Sequence, residues 1–472
     1  MQTAAQPRMS DTHVVILAAG KGTRMKSADP KVLHRAAGFS LIEHVLRAAD
    51  TIAPATTVVV VGHMAHRVKE ILGKRLGLAF ALQEVQLGTG HALLQAESHL
   101  AGKAGTVVLL SGDVPLLRPA TLRALLETHT SRKAAATVLT ARVDRPQGYG
   151  RIVREPASEA GRGRIAAIVE DRDTTPAERE IDEINSGIYA FALEPLFAAL
   201  KSIGAANAQG EYYLPDLVKI YRDRGLAVET LILEDSREIL GVNSRRELAD
   251  VAAIMRATKN DELMASGVTL IDPGSAWIGP DVTIGADTIV HPNVYLEGRT
   301  RIGSGCEIHA GVRVIDSTID DGVVINNYCV IAESHIASGA RLGPFAHIRP
   351  QSDVGEGAHV GNFTELKKTT LGKGSKANHL SYLGDTTVGE KVNIGAGVIT
   401  CNYDGVRKQQ TVIEDGAFVG SDTQLIAPVT VGRGAYIGTG TTVRENVPPG
   451  ALAVSAGKQR NIEGWVEKKK KR

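Results

Sequence analysis

The chain has few of the residues that stabilise secreted domains or anchor a protein in a membrane. It contains 3 cysteines among 472 residues, and their wide separation gives neither a disulfide framework nor a metal-binding pattern. The first ten residues lack an apolar signal-peptide core, and no apolar run is long enough to span a bilayer. We therefore expect no membrane insertion and a location in the reducing cytoplasm.

Neither sign of charge is in large excess. The 54 basic and 52 acidic residues give a formal net charge of +2, which disfavours nucleic acid as the main partner. Aromatic residues make up only 4% of the chain, whereas glycine occurs 50 times. Two domains are expected at this length, and the composition indicates that part of the chain uses many glycines and few large core side chains.

A glycine-containing loop follows the first apolar segment, Val14 to Leu17. Gly20 and Gly22 carry no Cβ, so a ligand phosphate can approach the backbone N–H groups. Arg24 and Lys31 add positive charge nearby. The loop lacks the third glycine of a dinucleotide-binding motif and the Gly-Lys-Ser/Thr of a P-loop. It predicts a site for a nucleoside triphosphate.

Apolar strands alternate with amphipathic helices through the N-terminal half. The pattern predicts strands at 58–61, 107–110 and 137–140, and helices at 41–49 and 121–128. This alternation is typical of an α/β doubly wound domain with a mainly parallel sheet, whose ligands bind at the carboxyl ends of the strands. Asp113 follows one of these strands. Its carboxylate could hold Mg²⁺ against a triphosphate, or it could be a simple turn residue.

A linker helix is predicted near the middle of the chain. Ser244 and Glu247 form a capping-box pattern, apolar residues follow at helical spacing, and Gly267 provides a stop. We therefore divide the chain into a first domain at 1–243, a linker helix at 244–266 and a second domain at 267–472.

The second domain is repetitive. Aliphatic–glycine pairs recur six residues apart, as at Val354-Gly355 and Val360-Gly361, and Ile284 and Ile302 are separated by 18 residues. Six-residue repeats are typical of a parallel β-helix, in which three repeats complete one triangular coil. The glycines at the corners explain the unusual composition.

The motifs of both domains resemble one known family. The loop from Leu17 to Met25, followed by Pro30-Lys31, resembles the signature of sugar-phosphate nucleotidylyltransferases. From about Val14 to Trp465 the chain resembles the bifunctional bacterial N-acetylglucosamine-1-phosphate uridyltransferase / glucosamine-1-phosphate acetyltransferase family. The motifs that carry this resemblance are 86–91, 112–116, 148–151, 183–187, 209–213, 361–368, 378–384 and 400–405.

The resemblance implies two successive reactions in the synthesis of UDP-N-acetylglucosamine, a precursor for the cell wall. Glucosamine-1-phosphate would be acetylated from acetyl-CoA, and UMP would then be transferred from UTP to the product with Mg²⁺ and release of pyrophosphate. The resemblance also implies that the β-helix is left-handed and that the chain forms a homotrimer.

For uridylyl transfer, the resemblance makes Asp113 and Asn243 the Mg²⁺ ligands. Composition alone would make Asn243 a cap of the linker helix, and both roles are possible. Arg24 and Lys31 are the candidates for neutralising charge in the reaction. Ser111 stands where some relatives carry tyrosine, so a contact near the ribose or sugar should differ. The resemblance assigns uracil binding to Gln83, Gly88 and Thr89, and N-acetylglucosamine binding to Gly150, Glu170 and Asn185. The full nucleotide- and sugar-binding set comprises Leu17, Ala18, Ala19, Gly20, Lys31, Gln83, Gly88, Thr89, Ser111, Gly112, Asp113, Gly150, Glu170, Asn185 and Asn243.

For acetyl transfer, His379 is the candidate base, because the glucosamine ammonium must lose a proton before it attacks a thioester. A lone histidine can also be structural, and Glu365 is a candidate to orient this imidazole. The resemblance assigns glucosamine-1-phosphate binding to Arg349, Lys367, Tyr382 and Asn393. It assigns acetyl-CoA binding to Ala396, Asn402, Tyr403, Ser421 and Thr439.

The hexad pattern breaks between Ile394 and Val419, which predicts a protruding loop that carries Lys408 as well as two of the acetyl-CoA candidates. Relatives often have an arginine for the CoA phosphates near position 456. Here Ala456 stands there, with Lys458 and Arg460 close by. The final basic run 468–472 is typical of a solvated tail, although it could also help to attract CoA.

Parts of the sequence also suggest two other functions. His335, His347 and His359 could suggest a zinc carbonic anhydrase, but a spacing of twelve puts them on different faces of a triangular coil, so they should not converge in one chain. The β-helix could also serve only to assemble subunits. The group formed by Asn378-His379, Tyr382 and Asn402-Tyr403 favours an active site, because a scaffold would not require it.

Overall fold

A computed structural model describes residues 11–156, 163–455, 457, 459 and 461–470. The chain forms two compact units, Met1–Met255 and Arg256–Arg472. The division falls within helix Arg245–Ala265. Gly267, with φ +95°, ends this helix in the left-handed conformation that the sequence predicts. In the part of the chain that is described, no helix has both the length and the apolarity needed to cross a membrane.

The first unit is built on a twisted sheet with parallel central strands. The strands of the first unit are β1 Thr12–Ala18, β2 Arg35–Ala36, β3 Phe39–Ser40, β4 Thr56–Val61, β5 Leu78–Leu82, β6 Thr106–Ser111, β7 Ala136–Arg142, β8 Arg151–Arg154, β9 Ile165–Val169, β10 Glu183–Ala192 and β11 Val228–Leu233. The order across the main sheet is β11-β7-β10-β6-β1-β4-β5. β1 pairs in parallel with β4 and β6, whereas β10 runs antiparallel to β6 and β7.

Helices cover both faces of this sheet. They are α1 Leu41–Asp50, α2 Ala65–Leu72, α3 Thr89–Leu94, α4 Glu97–Leu100, α5 Pro119–Ser131, α6 Pro176–Arg179, α7 Leu193–Leu200, α8 Asp216–Asp223 and α9 Arg245–Ala265, with 3₁₀ turns at Thr23–Met25, Lys31–Leu33, Asp171–Asp173 and Ser236–Ile239. Val14 and Ile16 of β1 pack into one apolar cluster and Val15 into another. Neighbouring strand residues point to opposite faces, so the doubly wound fold is confirmed.

The second unit is a three-sided parallel β-helix. We call its sheets faces A, B and C, in the order in which the chain visits them. Face A contains Thr269–Leu270, Ile289–Val290, Glu307–Ile308, Val324–Ile325, Arg341–Leu342, His359–Asn362, Lys376–His379, Asn393–Ile394, Phe418–Val419, Tyr436–Ile437 and Leu452–Ala453. Face B contains Trp277–Ile278, Tyr295–Glu297, Arg313–Ile315, Val330–Ala332, His347–Ile348, Glu365–Lys367, Tyr382–Gly384, Ile399–Cys401, Gln424–Ile426 and Thr442–Val443. Face C contains Thr283–Ile284, Arg301–Ile302, Thr318–Ile319, His335–Ile336, Asp353–Val354, Thr370–Leu371, Thr386–Val388, Thr411–Ile413 and Val429–Val431, and helix α10, Trp465–Lys470, follows the last coil.

The coils are less regular than the six-residue repeat predicts. Equivalent positions 295, 313, 330, 347, 365 and 382 on face B are separated by either 17 or 18 residues. Most strands turn an aliphatic side chain inward, with Thr400 as an exception, and these side chains form one continuous apolar column along the prism. The coil length is therefore not constant, and it also reaches 25 residues between Ile399 and Gln424 on face B and falls to 16 between Tyr436 and Leu452 on face A.

The predicted protruding loop is present between Ile394 and Val419. Ile399–Cys401 still pairs with Gln424–Ile426 on face B, and Thr411–Ile413 still pairs with Val429–Val431 on face C. Residues 402–410 leave the coil as a small hairpin closed by a bridge between Tyr403 and Lys408. The inserted residues interrupt the six-residue repeat, as predicted, without interrupting the ladder.

Candidate functional site

In the first unit, three predicted site residues meet beyond the carboxyl ends of the central strands. Lys31 Nζ donates hydrogen bonds to the Asp113 carboxylate and to Asn243 Oδ1, the latter at 2.9 Å. The backbone N–H of Val242 donates to the carbonyl of Asp113 at 2.9 Å, which holds the two segments together. The Lys31 ammonium thus occupies the point where a carboxylate and an amide oxygen converge.

This pair of oxygens fits a magnesium ion. Mg²⁺ prefers hard oxygen ligands and usually takes one or two from the protein, the remainder coming from water and phosphate. The Lys31 ammonium is a cation held between the same two oxygens. Asn243 is not itself the cap of α9, since Ser244 Oγ accepts from the N–H of Glu247 at 3.3 Å.

The loop before Lys31 needs glycine at one position. Gly22 has φ +60°, and a Cβ there would lie 2.7 Å from Lys31 Cβ. Gly22 therefore allows the loop to pack against Lys31 and place its ammonium. Gly20 has open space beside it, so a ligand can approach its backbone. The Arg24 side chain is exposed on the neighbouring 3₁₀ turn.

The three residues predicted to bind uracil lie together at the start of α3. The buried Gln83 side chain donates to the carbonyl of Gly88 at 3.2 Å. Gly88 has φ +106°, and a Cβ there would lie 2.7 Å from the carbonyl oxygen of Tyr212. The Thr89 hydroxyl accepts the backbone N–H of Leu214 at 3.2 Å. The positive φ and the crowding explain why glycine stands at position 88.

Most of the predicted sugar-binding residues line a cavity of about 190 Å³. Burial, with the charges of Asp173 and Asp216, raises the pKa of Glu170. The carboxyl oxygens of Glu170 can form hydrogen bonds with the hydroxyl groups of a sugar. The cavity is lined by Leu17, Thr89, Ser111, Gly150, Glu170 and Asn185 of the predicted set, together with 148–149, 186–187, 189 and 214–215.

The remaining predicted nucleotide-binding residues, Ala18, Ala19 and Gly112, lie next to the glycine-containing loop. Ala18 and Ala19 are buried at the end of β1, and the N–H of Gly112 donates to the carbonyl of Leu17 at 2.9 Å. Tyr189 was missed by the sequence analysis. It lines the cavity, and its buried hydroxyl lacks a hydrogen-bond partner among the described residues. Its position four residues after Asn185, on the same strand, is the signal that could have found it.

In the second unit, cations gather at the corner between faces B and C. Arg349, Lys367 and Lys408 line a cavity of about 670 Å³ there. Lys367 Nζ donates to Asp385 Oδ2 at 2.8 Å, and Asn402 Nδ2 donates to the same oxygen at 2.5 Å. The hydrogen bond to Asp385 raises the pKa of Lys367, whereas the neighbouring Lys367 lowers the pKa of Lys408. Such an excess of positive charge suits an anionic phosphate.

The corner between faces A and B carries a different group. His379 is exposed, and its Nδ1 lies 2.9 Å from Asn362 Oδ1 on the preceding coil. Backbone hydrogen bonds link the following coils at the same corner, from Asp422 to Ala396 at 2.7 Å and from Gly440 to Ser421 at 2.9 Å. Predicted acetyl-CoA residues Ala396, Ser421 and Thr439 therefore form a column continuing from His379.

Glu365 does not orient His379. Its carboxylate accepts a hydrogen bond from Arg349 Nη1 at 2.8 Å, while Asn362 is the partner of the imidazole. The expectation that Glu365 orients this imidazole was wrong, because Glu365 lies on face B and Asn362 lies at the end of the face A strand. The spacing of 17 residues between Asn362 and His379 is the sequence signal for their contact.

A single chain does not bring all the predicted acetyl-transfer residues together. Asn393 lies on the outer side of face A, next to buried Ile394, while Lys367 ends a strand of face B at the corner with face C. In a three-sided prism, face A is opposite the corner between faces B and C. Tyr382 lies on face B between the two groups, and Asn402 and Tyr403 lie with the cations.

The other predictions for this unit have simple outcomes. His335, His347 and His359 lie on faces C, B and A, so they do not converge, as their spacing predicts. Ala456, Lys458 and Arg460, proposed in connection with the CoA phosphates, lie outside the described residues. Asp385 was missed, although it follows Lys367 by one coil.

Comparison with known proteins gives matches in both units. The family described as the MobA-like NTP transferase domain matches residues 14–208, the GMPPB C-terminal domain matches 273–352, and the bacterial transferase hexapeptide (six repeats) matches 410–445. A protein of Heliobacterium modesticaldum called bifunctional protein GlmU is 50% identical over 457 residues, covering 97% of this chain and 98% of that protein. Proteins of the same name from Koribacter versatilis and Pelobacter propionicus are each 48% identical, covering 97% and 98% of this chain and 97% and 100% of their own length.

Proposed function

Because the chain belongs to the family of bifunctional GlmU proteins, we propose that each unit carries one of its two transferase sites, in the division 1–243, 244–266 and 267–472. Family membership confirms the predicted fold class, an α/β nucleotidyltransferase domain followed by a left-handed β-helix of hexapeptide repeats. It also confirms the two predicted activities in UDP-N-acetylglucosamine synthesis, acetylation of glucosamine-1-phosphate and uridylylation of N-acetylglucosamine-1-phosphate.

The first unit would bind UTP over the loop between Gly20 and Lys31 and the sugar phosphate in the neighbouring cavity. Asp113 and Asn243 would hold Mg²⁺, which when bound supplies charge neutralisation on the triphosphate. Lys31 would release these oxygens and join Arg24 in binding phosphate oxygens. The sugar phosphate arrives already ionised, so this site works by positioning and by charge stabilisation rather than with a strong base.

The convergence of Lys31, Asp113 and Asn243 is the observation that carries this assignment. Gln83, Gly88 and Thr89 would bind the uracil. Gln83 offers a side-chain amide and Thr89 a hydroxyl, and Gly88 between them has no side chain to keep a base from its backbone. Leu17, Ala18, Ala19 and Gly112 would shape the nucleotide pocket, and Ser111, Gly150, Glu170 and Asn185 would bind the sugar.

The second unit would use His379 as the base for acetyl transfer. His379 accepts a proton from the glucosamine ammonium, the freed amine attacks the thioester carbonyl carbon of acetyl-CoA, and CoA leaves as the thiolate. Asn362 supports this role, because its side-chain oxygen lies 2.9 Å from Nδ1 and can hold the tautomer that leaves Nε2 free to accept. Arg349, Lys367 and Lys408 would bind the phosphate of the sugar.

The second site would be completed by another copy of the chain, in a homotrimer. One corner carries His379 with Ala396, Ser421 and Thr439, and another carries the cations with Asn402 and Tyr403. If the first corner of one copy faces the second corner of its neighbour, Asn393 and Tyr382 can join the same sugar-binding site. The geometry within one chain supports this arrangement, because face A is opposite the cationic corner.

A coupled assay tests the proposed function. The full chain is incubated with glucosamine-1-phosphate, acetyl-CoA, UTP and Mg²⁺, and UDP-N-acetylglucosamine is detected by mass spectrometry. Omission of acetyl-CoA should stop product formation, and supplying N-acetylglucosamine-1-phosphate should restore it. Failure of that restoration would contradict the uridylyl-transfer assignment.

The two cosubstrates of the proposed reactions, acetyl-CoA and UTP, are metabolites of the cell interior. We therefore propose a cytoplasmic location for the protein.

A further inference from the structure

A separate group of metal-ligating side chains lies in the first coils of the β-helix. His291 follows the face A strand Ile289–Val290, and Glu307 and His309 flank Ile308 on the next coil. Residues two apart on a strand point to the same side, so Glu307 and His309 share the outer surface. The backbone N–H of His291 donates to the carbonyl of Ile308 at 2.9 Å, which places His291 beside His309.

The distances in this group match a compact coordination site. Glu307 Oε1 lies 3.2 Å from His291 Nε2 and 3.4 Å from His309 Nε2. Bonds of about 2.0–2.1 Å to a tetrahedral ion place its ligand atoms roughly 3.3–3.4 Å apart. The two imidazole rings stack with centroids 4.6 Å apart, and one ligand atom from each of the three side chains lies within 4.8 Å of the other two.

We propose that His291, Glu307 and His309 bind one divalent transition-metal ion, with Zn²⁺ as the best match and water as the fourth ligand. Two imidazole nitrogens and one carboxylate oxygen suit Zn²⁺, whereas Mg²⁺ requires oxygen ligands. The side chains of His291, Glu307 and His309 are 28%, 42% and 25% exposed, so an ion and its water can enter from solvent.

The bound ion would fasten the first coils of the β-helix. His291 belongs to one coil, and Glu307 and His309 belong to the next. An ion that binds the folded chain and not the unfolded chain stabilises the folded state by mass action. The proposal is independent of the Mg²⁺ site in the first unit, which has no imidazole ligand, and of both transferase activities.

Co²⁺ provides a spectroscopic probe for this site in the full-length protein. We expect the visible absorption of Co²⁺ bound in four-coordinate geometry, at one ion per chain, displaced by Zn²⁺ and not by excess Mg²⁺. Glu307→Gln, His291→Gln and His309→Gln should each weaken binding at least about tenfold, since even loss of an outer-shell partner costs 10–100-fold. Zn²⁺ should raise the melting temperature of the wild type and leave that of these variants unchanged.

His335→Gln is the matched control. His335 also lies between carboxylates, with Nε2 3.0 Å from Asp320 and Nδ1 3.4 Å from Asp353, but it has no second imidazole beside these carboxylates in the described structure. This variant should bind Co²⁺ like the wild type. Unchanged binding in His291→Gln and His309→Gln, loss of binding in His335→Gln, or no Co²⁺ absorption in the wild type would each overturn the proposal. Circular dichroism without metal verifies that every variant is folded.

Discussion

The two units organise their candidate sites in opposite ways. In the first, Lys31, Asp113 and Asn243 come from distant parts of the sequence and meet beyond the strand ends of one sheet. In the second, His379 and Lys367 are twelve residues apart in sequence and lie at different corners of the prism. A sheet gathers residues at its edge, whereas a β-helix distributes them around its perimeter.

The difference implies different requirements for assembly. A parallel sheet with ligand-binding residues beyond its carboxyl ends can form a complete site in one chain. In the second unit, the predicted acetyl-transfer residues lie on the outside of two corners of the prism. One chain therefore offers two incomplete binding surfaces. The first site should therefore work in any oligomeric state, and the second should require neighbouring copies.

The largest predicted effect concerns the base of the second unit. His379→Ala should lower the rate of acetyl transfer by about 10²–10⁴-fold, because proton transfer by a positioned base contributes that much. Uridylyl transfer should be unchanged. Release of free CoA thiol measures the first reaction, and pyrophosphate release from UTP and N-acetylglucosamine-1-phosphate measures the second. His335→Ala serves as the control, and equal loss of both activities in His379→Ala would contradict independent sites.

A similar test applies to the first unit. Asp113→Asn should lower uridylyl transfer by about 10²–10³-fold, because it removes a charge that positions the cation on the triphosphate. Acetyl transfer should remain at the wild-type rate. Asp144→Asn, at an exposed position of the same unit, is the matched control. A variant that keeps its dependence on Mg²⁺ and most of its activity would exclude Asp113 as a ligand.

Loss of one cation at the second site should act mainly on binding. Lys367→Met should raise the KM for glucosamine-1-phosphate about 10–100-fold, since a hydrogen bond to a charged group contributes about 1.5–3 kcal/mol. Lys373→Met is the control, because Lys373 is exposed and bonded to Glu356. Initial rates against sugar concentration separate KM from kcat. A fall in kcat alone would place Lys367 elsewhere in the mechanism.

The last expected effect is a dependence of stability on pH in the first unit, which leaves both activities at neutral pH unchanged. Burial lowers the pKa of His129 to about 4, whereas an unfolded histidine titrates near pH 6.5. The folded-state pKa is depressed, so the stabilisation is present above pH 6.5 and falls by about 3 kcal/mol as the pH drops through 6.5 to 4.

Hydrogen exchange of β6 and β7, corrected for intrinsic rates, should reveal this loss between pH 7 and pH 4.5. His129→Gln should show a smaller decrease in protection, while the exposed control His66→Gln should follow the wild type. Equal pH dependence in both variants would mean that other groups cause the acid sensitivity.

Much of the first site follows from sequence, since the ends of β1 and β6 must meet at one edge of a parallel sheet. That argument predicts Asp113 beside the loop that contains Gly20. The contact of Lys31 with Asn243, 212 residues away, follows from no periodic pattern. It depends on how the segment before α9 returns to the sheet, which is a matter of tertiary packing.

The second site shows where periodicity is insufficient. Counting by eighteen places residues on the right faces but misses the coils of 17 residues, so local partners shift by one position. Asn362 contacts His379 across one such coil of 17 residues, whereas Glu365 lies on face B and bonds to Arg349. Lys367 and Asp385 are 18 residues apart, so Asp385 lies one residue beyond Gly384, the ladder partner of Lys367.

Complementation between two impaired chains, assayed at a glucosamine-1-phosphate concentration well below the KM of Lys367→Met, tests the shared site most directly. His379→Ala and Lys367→Met chains with different tags are produced together, and oligomers carrying both tags are purified. The account predicts restored acetyl transfer, because one copy supplies an intact histidine corner and its neighbour an intact cationic corner. Asp113→Asn with Asn185→Ala should restore no uridylyl transfer, since both residues act within one chain. Acetyl-transfer activity no higher than that of the separate variants would contradict the account.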